Sequence, residues 1–453
     1  MSPAKAAARR PEPRPVPEVA TPSAMKVGAP RIRTLGNGLV VWAVRKPGIP
    51  LVQLRLVLPT SRARTGPGER ARQRVLARAL QAGTRHHTQA ELAGRLQGLG
   101  GGLAAGADAE DLSLSGSALS TNLAPLLDMV REVLTEATFP ATELAIEQRR
   151  LQEELAMAAS QPSTVARLAV TSRVYGAHPY GDPLPTPEDV GAVTRAQLAA
   201  FMRTRTGPAA GHLVLVGDVP AGRLLDAAEV ALGGWSSGAP AQPLPAPPPF
   251  EPGPLVLVDR PGSVQTSIRL VGPALPRQHP DAAALALALT IFGGSFSSRL
   301  NANLREDKGW TYSPQAGIEH LQAASLLTVS AEVATEVTAP SLVEIAYELG
   351  RMATLPVTGD ELEAARRFRT GSTALSLQTQ SGLASQLVVL ASTGLDVAWL
   401  AGMPGRFAAV TVEDVLRVSR RHLGPGRLVT VLVGDASHIR GEVEALGEVR
   451  PEA

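Results

Sequence analysis

VTRAQLAAFMRTRTGPAAGHLVLVGD (Val193–Asp218) recurs 217 residues later as VTVEDVLRVSRRHLGPGRLVTVLVGD (Val410–Asp435), without gaps. Ten of the twenty-six positions are identical, among them the Gly-Pro of the turn and the closing Val-Leu-Val-Gly-Asp. Two unrelated helix-turn-strand units do not share turn and strand in one register by accident, so the chain is a tandem of two similar halves. Between them, Ser236 to Pro254 holds eight prolines and reads as a stiff, extended connector. The divisions are therefore an Ala/Pro/Arg-rich disordered tail (1–30), a first half (31–235), the connector (236–254) and a second half (255–453). Each half reads strand-strand-helix-helix-strand, then helices, then a closing strand. Lacking strict βα alternation, it predicts an α+β fold, a largely antiparallel sheet with helices on one face.

Outside the repeat, Val40–Val44 and Leu51–Leu58 read as strands around the turn signal Lys46-Pro47-Gly48. A helix-forming stretch follows from about Gly68. Thr88 and Glu91 form a capping box for a second helix, which ends in Gly98, Gly100, Gly101 and Gly102. Strict alternation from Asp111 to Leu119 predicts a strand with one buried face, and helical periodicity returns from Leu123 to Ala159.

At 453 residues, with 44% hydrophobic and 19% charged residues, the chain has the composition of a folded globular protein. Its net charge of +3 is small, and only four of its 44 basic residues are lysine, an arginine bias that does not describe a nucleic-acid patch. Cysteine is absent, which excludes disulfides, thiolate metal sites and a cysteine nucleophile. No apolar run reaches the length of a membrane span, and the first thirty residues lack the core of a signal peptide. The sequence thus reads as cytoplasmic, or periplasmic if a leader has been removed. Gly100-Gly101-Gly102 has no following Lys-Ser/Thr and is not a phosphate loop.

The chemistry is concentrated in the second half, where the loop Phe292-Gly293-Gly294-Ser295-Phe296-Ser297-Ser298-Arg299-Leu300 precedes Leu304-Arg305-Glu306-Asp307-Lys308-Gly309-Trp310-Thr311-Tyr312. If Arg305 ends a helix and Tyr312 begins the next strand, both side chains can reach one carbonyl oxygen. Such a pair can hold a peptide and steady a developing oxyanion, but it cannot activate water. The bland alternative is a capping arginine and a packing tyrosine.

Together with the two halves, the connector and the turn His178-Pro179-Tyr180-Gly181, these motifs resemble the insulinase-like metallopeptidases (M16), which include pitrilysin and the mitochondrial processing peptidase. The likeness spans roughly residues 30 to 445. Catalytic members carry H-x-x-E-H on a helix of the first half, with Gly-Thr following at fixed distance and a glutamate ligand further on. Here the Gly-Thr is Gly83-Thr84, and counting back puts Arg74, Ala77 and Arg78 where His, Glu and His would stand. Two guanidiniums one helical turn apart repel a dication. The eight histidines offer no substitute: His86 and His87 are expected on different sides of a helix, and the others are scattered. Glu147 and Glu154 stand where the distant glutamates would be, with Glu153 a rival for the ligand position. Either an ion pair from Arg74 or Arg78 to Glu154 stands in place of the metal, or all of these charges are simply solvated.

The resemblance implies that Arg305 grips a substrate carbonyl and Tyr312 donates to the oxyanion, with Gly293, Gly294 and Ser295 forming the substrate-binding loop in front. It implies no cofactor in this chain and zinc in a homologous partner carrying H-x-x-E-H, as in two-chain bacterial types that split these parts. The expected role is the non-catalytic, substrate-binding subunit of a heterodimeric zinc peptidase acting on peptides or short unfolded polypeptides. The alternative is a peptidase-derived scaffold. A strand within Leu103–Leu119 is the expected sheet edge that peptides could join.

Overall fold

The computed structural model describes residues 27–60, 66–237 and 244–451. Residues 1–26 of the expected tail and 238–243 of the expected connector lie outside them. In chain order the first half contains β1 (Arg31–Thr34), β2 (Val40–Arg45), β3 (Leu51–Pro59), α1 (Pro67–Ala79), α2 (Gln89–Gly98), β4 (Gly102–Ala107) and β5 (Asp111–Leu119). It continues with α3 (Leu123–Thr135), α4 (Ala141–Ser160), α5 (Pro162–Tyr175), α6 (Pro187–Gly191), α7 (Arg195–Arg205), β6 (His212–Gly217) and α8 (Ala221–Leu232). The second half opens with β7 (Leu255–Asp259), β8 (Gln265–Pro273), α9 (Ala282–Leu289), β9 (Gln315–His320), β10 (Ser325–Ala334), α10 (Thr338–Thr354) and α11 (Gly359–Ser376). It closes with α12 (Gln380–Thr393), α13 (Val397–Ala401), α14 (Met403–Ala409), α15 (Val412–His422), β11 (Val429–Gly434), α16 (Ala436–Glu444) and β12 (Val449–Pro451). None of the described helices is long and apolar enough to cross a membrane.

The sequence repeat falls on α7–β6 and α15–β11. Both helices start from the same device, a threonine N-cap in a capping box: Thr194 with Gln197, and Thr411 with Asp414. Each strand then enters the middle of a six-stranded sheet, in the orders β1-β2-β6-β3-β5-β4 and β12-β7-β11-β8-β10-β9. Most pairings are antiparallel, and the parallel ones are β2/β6, β7/β11 and β12/β7. The fold is α+β in two similar halves, as the repeat implies. β2 and β3 do not pair with each other, because β6 lies between them.

Along the central strands the side chains divide by parity. Val41, Ala43, Leu213 and Leu215 face the helical layer of α1, α3, α4, α7 and α8, where the main first-half core lies. The alternate residues Trp42, Val44, Val214 and Val216 face the other way, against Leu383, Ala384, Leu387 and Leu390 of α12, a helix of the second half. The second sheet is covered reciprocally: Val256, Val271, Val429 and Val431 pack on Ala169 and Val170 of α5, from the first half. Helices are therefore not confined to one face, and each half lends one helix to the other's sheet. Gln380 secures α12 by donating to the carbonyls of Lys46 and Ile49, at 2.8 and 3.0 Å.

Leu387 is fully buried in this exchanged contact. Leu387→Ala should cost about 2–5 kcal/mol, the usual penalty for emptying a packed leucine site. Urea unfolding would measure it, and an unchanged midpoint would mean that α12 is not anchored on the first sheet.

Candidate functional site

Arg305 lies in the last turn of a helical stretch that widens into π-type geometry over Asn301–Asp307, after a similar turn at Thr290–Gly294. Such widened turns are uncommon and cluster at functional sites. Gly309, at φ +65°, then reverses the chain, and its amide donates to the Arg305 carbonyl at 3.1 Å while the Trp310 amide reaches Leu304 at 2.9 Å. Trp310 tucks against the core, and the return carries Tyr312 back beside Arg305. Tyr312 stands in the loop three residues ahead of β9 and does not begin the strand.

The guanidinium of Arg305 is sandwiched between two rings, 4.5 Å from the centroid of Phe296 and 4.8 Å from that of Tyr312. Both rings are open to solvent, Phe296 by 68% and Tyr312 by 79%. Cation–π contacts orient the arginine without burying it, and its Nε also lies 3.2 Å from Glu306. Tyr312 is thus not a packing residue.

Asn301 holds the two segments in register by donating to Ser295 O, Ser298 Oγ and Pro314 O at 3.0–3.2 Å. Arg299 anchors the same stretch through two hydrogen bonds to Glu361, at 2.7 and 2.9 Å, and Glu361 also closes the capping box of α11. Neither Phe296 nor these anchors was identified from the sequence. Asn301 and Asn303 inside a helical run were the available signal, since buried asparagine there needs side-chain partners.

Neither Gly293 nor Gly294 has positive φ; a Cβ on Gly293 would lie 2.8 Å from Ala316 Cβ, so this glycine lets the loop lie on β9. Gly293 is buried and presents nothing to a ligand, whereas Gly294 is exposed and Ser295 half-buried.

The Arg299 fork, aided by the Thr358 amide, draws Glu361 down from an ordinary value of 4.5 to about 2. A depressed carboxylate stabilises the fold above its unfolded pKa, and that stabilisation is lost as pH falls through the folded value. Between about pH 4.5 and 2 the protein should lose up to roughly 3 kcal/mol from this group. Glu361→Gln should flatten this part of the stability profile in urea titrations; superimposable profiles would show that the pair does not anchor the site.

In the first half the zinc-motif positions lie on α1. Ala77 is buried in the core, Arg74 is half-buried, and Arg78 is exposed and forms an ion pair with Glu154 of α4. Arg78, not Arg74, makes this link, and its partner is Glu154, not Glu153. Glu147 is buried and accepts from Arg150 at 2.7 Å and Gln89 at 3.5 Å, so it faces α2 instead of an arginine of α1. The Arg74 guanidinium is destabilised by burial and by its neighbours Arg70 and Arg167, which lowers its pKa. These residues do not fit zinc: the groups at the ligand positions are cationic, and the glutamate is engaged by one of them. Among the described residues no group of three or more His, Asp or Glu is placed to hold a metal. His86 and His87 lie in a loop, not on a helix as expected, and point together at α3, toward Glu136 at 2.6 Å and Glu132 at 2.8 Å.

Within Leu103–Leu119 only β4 lies at a sheet edge, because β5 is paired on both sides. Gly101 makes that edge possible, since a Cβ there would collide with the Ser117 carbonyl. The His178–Gly181 turn joins three parts of the chain. His178 Nε2 meets the Pro245 carbonyl at 3.0 Å, and the Tyr180 hydroxyl bonds Glu110 and accepts from the Ala323 amide at 3.1 Å.

Residues 75–188 match the profile of the insulinase family, peptidase family M16, and residues 192–368 match that described as the peptidase M16 inactive domain. An uncharacterised zinc protease of Streptomyces coelicolor is 25% identical over 411 residues, covering 88% of either chain. One from Mycobacterium tuberculosis is 26% identical over 376 residues, 79% of this chain and 83% of the relative. Among solved structures, a peptidase M16 inactive domain from Pseudomonas fluorescens superposes with a TM-score of 0.80 at 24% identity, covering 90% of this chain and 98% of that one. A protease from Helicobacter pylori gives 0.82 at 19% identity, covering 90% and 100%.

Proposed function

The chain belongs to the M16 peptidase family, and from that premise we propose that it is the substrate-binding, non-catalytic subunit of a two-chain peptidase. The observation that carries this reading is the asymmetry between its halves. The second half presents Arg305 between two exposed rings, while the first half has an arginine ion pair where a zinc ligand would stand. A homologous partner with an intact H-x-x-E-H would supply the metal and the base. This chain contributes recognition and charge stabilisation. The Arg305 guanidinium donates to a peptide carbonyl, and the Tyr312 hydroxyl donates to the oxygen that gains charge as that carbonyl becomes tetrahedral. Peptides or short unfolded polypeptides are the substrates such a surface takes, since an extended main chain offers carbonyls to the arginine and hydrogen-bonding groups to the free edge of β4.

The test mixes this chain with the H-x-x-E-H subunit from the same organism and measures zinc content and cleavage of an unfolded polypeptide. Cleavage only in the mixture supports the reading. A stable complex that never cleaves would replace it with a scaffold function, and cleavage by this chain alone would refute it.

A further inference from the structure

Away from the Arg305 site, the second half contains a cavity of about 230 Å³ between the loop after β8, the end of β9, α11 and the α13–α14 segment. Five of its lining residues are basic types, Arg277, His279, His320, Arg369 and Arg406, and none is acidic. Asp281 receives both arms of Arg417, at 2.7 and 2.8 Å, and Glu363 holds Arg366 and Arg367. Glu110 and Asp111 share an adjoining cavity with Arg277 and His320, and they accept from the backbone amide and side chain of Gln322 at 2.8 and 3.4 Å. Among the described residues, no ion pair satisfies Arg277 or Arg369, and Arg277 Nε is buried without a hydrogen-bond partner.

Gathering guanidiniums in a partly dry pocket is unfavourable by itself, because each loses hydration and repels the next. Burial and the mutual proximity of Arg277 and Arg369 lower the pKa of Arg277 and hold neighbouring His320 down at about 4, so the histidine is neutral at pH 7. Arg406 is fixed in place by donating to the Trp399 carbonyl and lying 4.7 Å from the centre of the Trp399 ring. The pocket therefore combines preset donors, excess positive charge and aromatic walls from Trp399 and Phe407. Guanidinium forks match the paired oxygens of carboxylates and phosphates.

We propose that this pocket binds a small dianion, its oxygens bridging Arg277 and Arg369 and its remaining atoms lying against Trp399. Phosphoryl and dicarboxylate compounds share this chemistry.

The experiment titrates the full chain with inorganic phosphate and, separately, malonate, following heat by calorimetry and Trp399 emission, with Trp399→Phe as the spectral control. Saturable binding at constant ionic strength is expected for at least one probe. Preference for phosphate would identify a phosphoryl ligand, and preference for malonate a dicarboxylate. Arg369→Met and Arg277→Gln should each weaken binding on the order of tenfold or more. Absence of saturable binding of either probe by the wild-type chain overturns the proposal whatever the variants do. Unchanged affinity in both folded variants overturns it as well.

Discussion

With Arg305→Ala or Tyr312→Phe in this chain, turnover of the proposed two-chain peptidase is expected to fall on the order of 10²-fold, the usual loss when one preorganised oxyanion donor is removed. The two substitutions probe different bonds. Tyr312→Phe keeps a ring beside the Arg305 guanidinium and removes only the hydroxyl, so kcat should fall while KM changes little. Arg305→Ala removes a donor that also binds the ground-state carbonyl, so KM should rise together with the loss in kcat. Because Tyr312 is 79% exposed, neither thermal stability nor complex formation should change with Tyr312→Phe, which separates a chemical role from a structural one. Unchanged rates in both variants would remove Arg305 and Tyr312 from the active site.

The second large effect is a gain. Arg74→His together with Arg78→His should convert a helix face that repels zinc into one that binds it stoichiometrically. The substitutions place two imidazoles one turn apart on α1, and they release Glu154, which Arg78 now occupies, as a third ligand from α4. Three protein ligands with an open fourth position make a binding site, but Ala77 leaves it without a general base, so uptake without hydrolysis is the expected result. Zinc content after dialysis and pH-dependent affinity would measure it. A doubly substituted, folded chain that takes up no zinc would show that these positions do not converge. The ion pair itself is a weak clamp. Its side chains are 39% and 57% exposed, so Arg78→Ala should change stability by less than about 1 kcal/mol.

What the sequence revealed follows from which forces are local. Thr194 and Thr411 cap their helices through residues three positions on, and the shared Gly-Pro turn fixes the strand that follows, so the duplicated architecture could be read directly. Arg305 and Tyr312 could be paired by spacing because one Gly309-terminated helix end carries both. Phe296 carries no signal in the sequence, because its contact with the guanidinium depends on how the loop folds, which no periodicity encodes. His86 and His87 fall outside the helix because it starts at Gln89, after Thr88 caps it. The covering of Trp42 and Val214 by α12 was equally hidden: an apolar helix face announces that it will be buried, not by which sheet.

That last contact also bears on ancestry. The lent helices α5 and α12 occupy matching places in the repeat, and each lies on the corresponding strand pair of the other half, β8 and β11 or β3 and β6. Two identical half-length chains trading one helix would make the same arrangement as a domain-swapped dimer. Gene duplication and fusion would then have turned an intermolecular exchange into an intramolecular one, leaving each half with a hydrophobic sheet face that only its twin can cover.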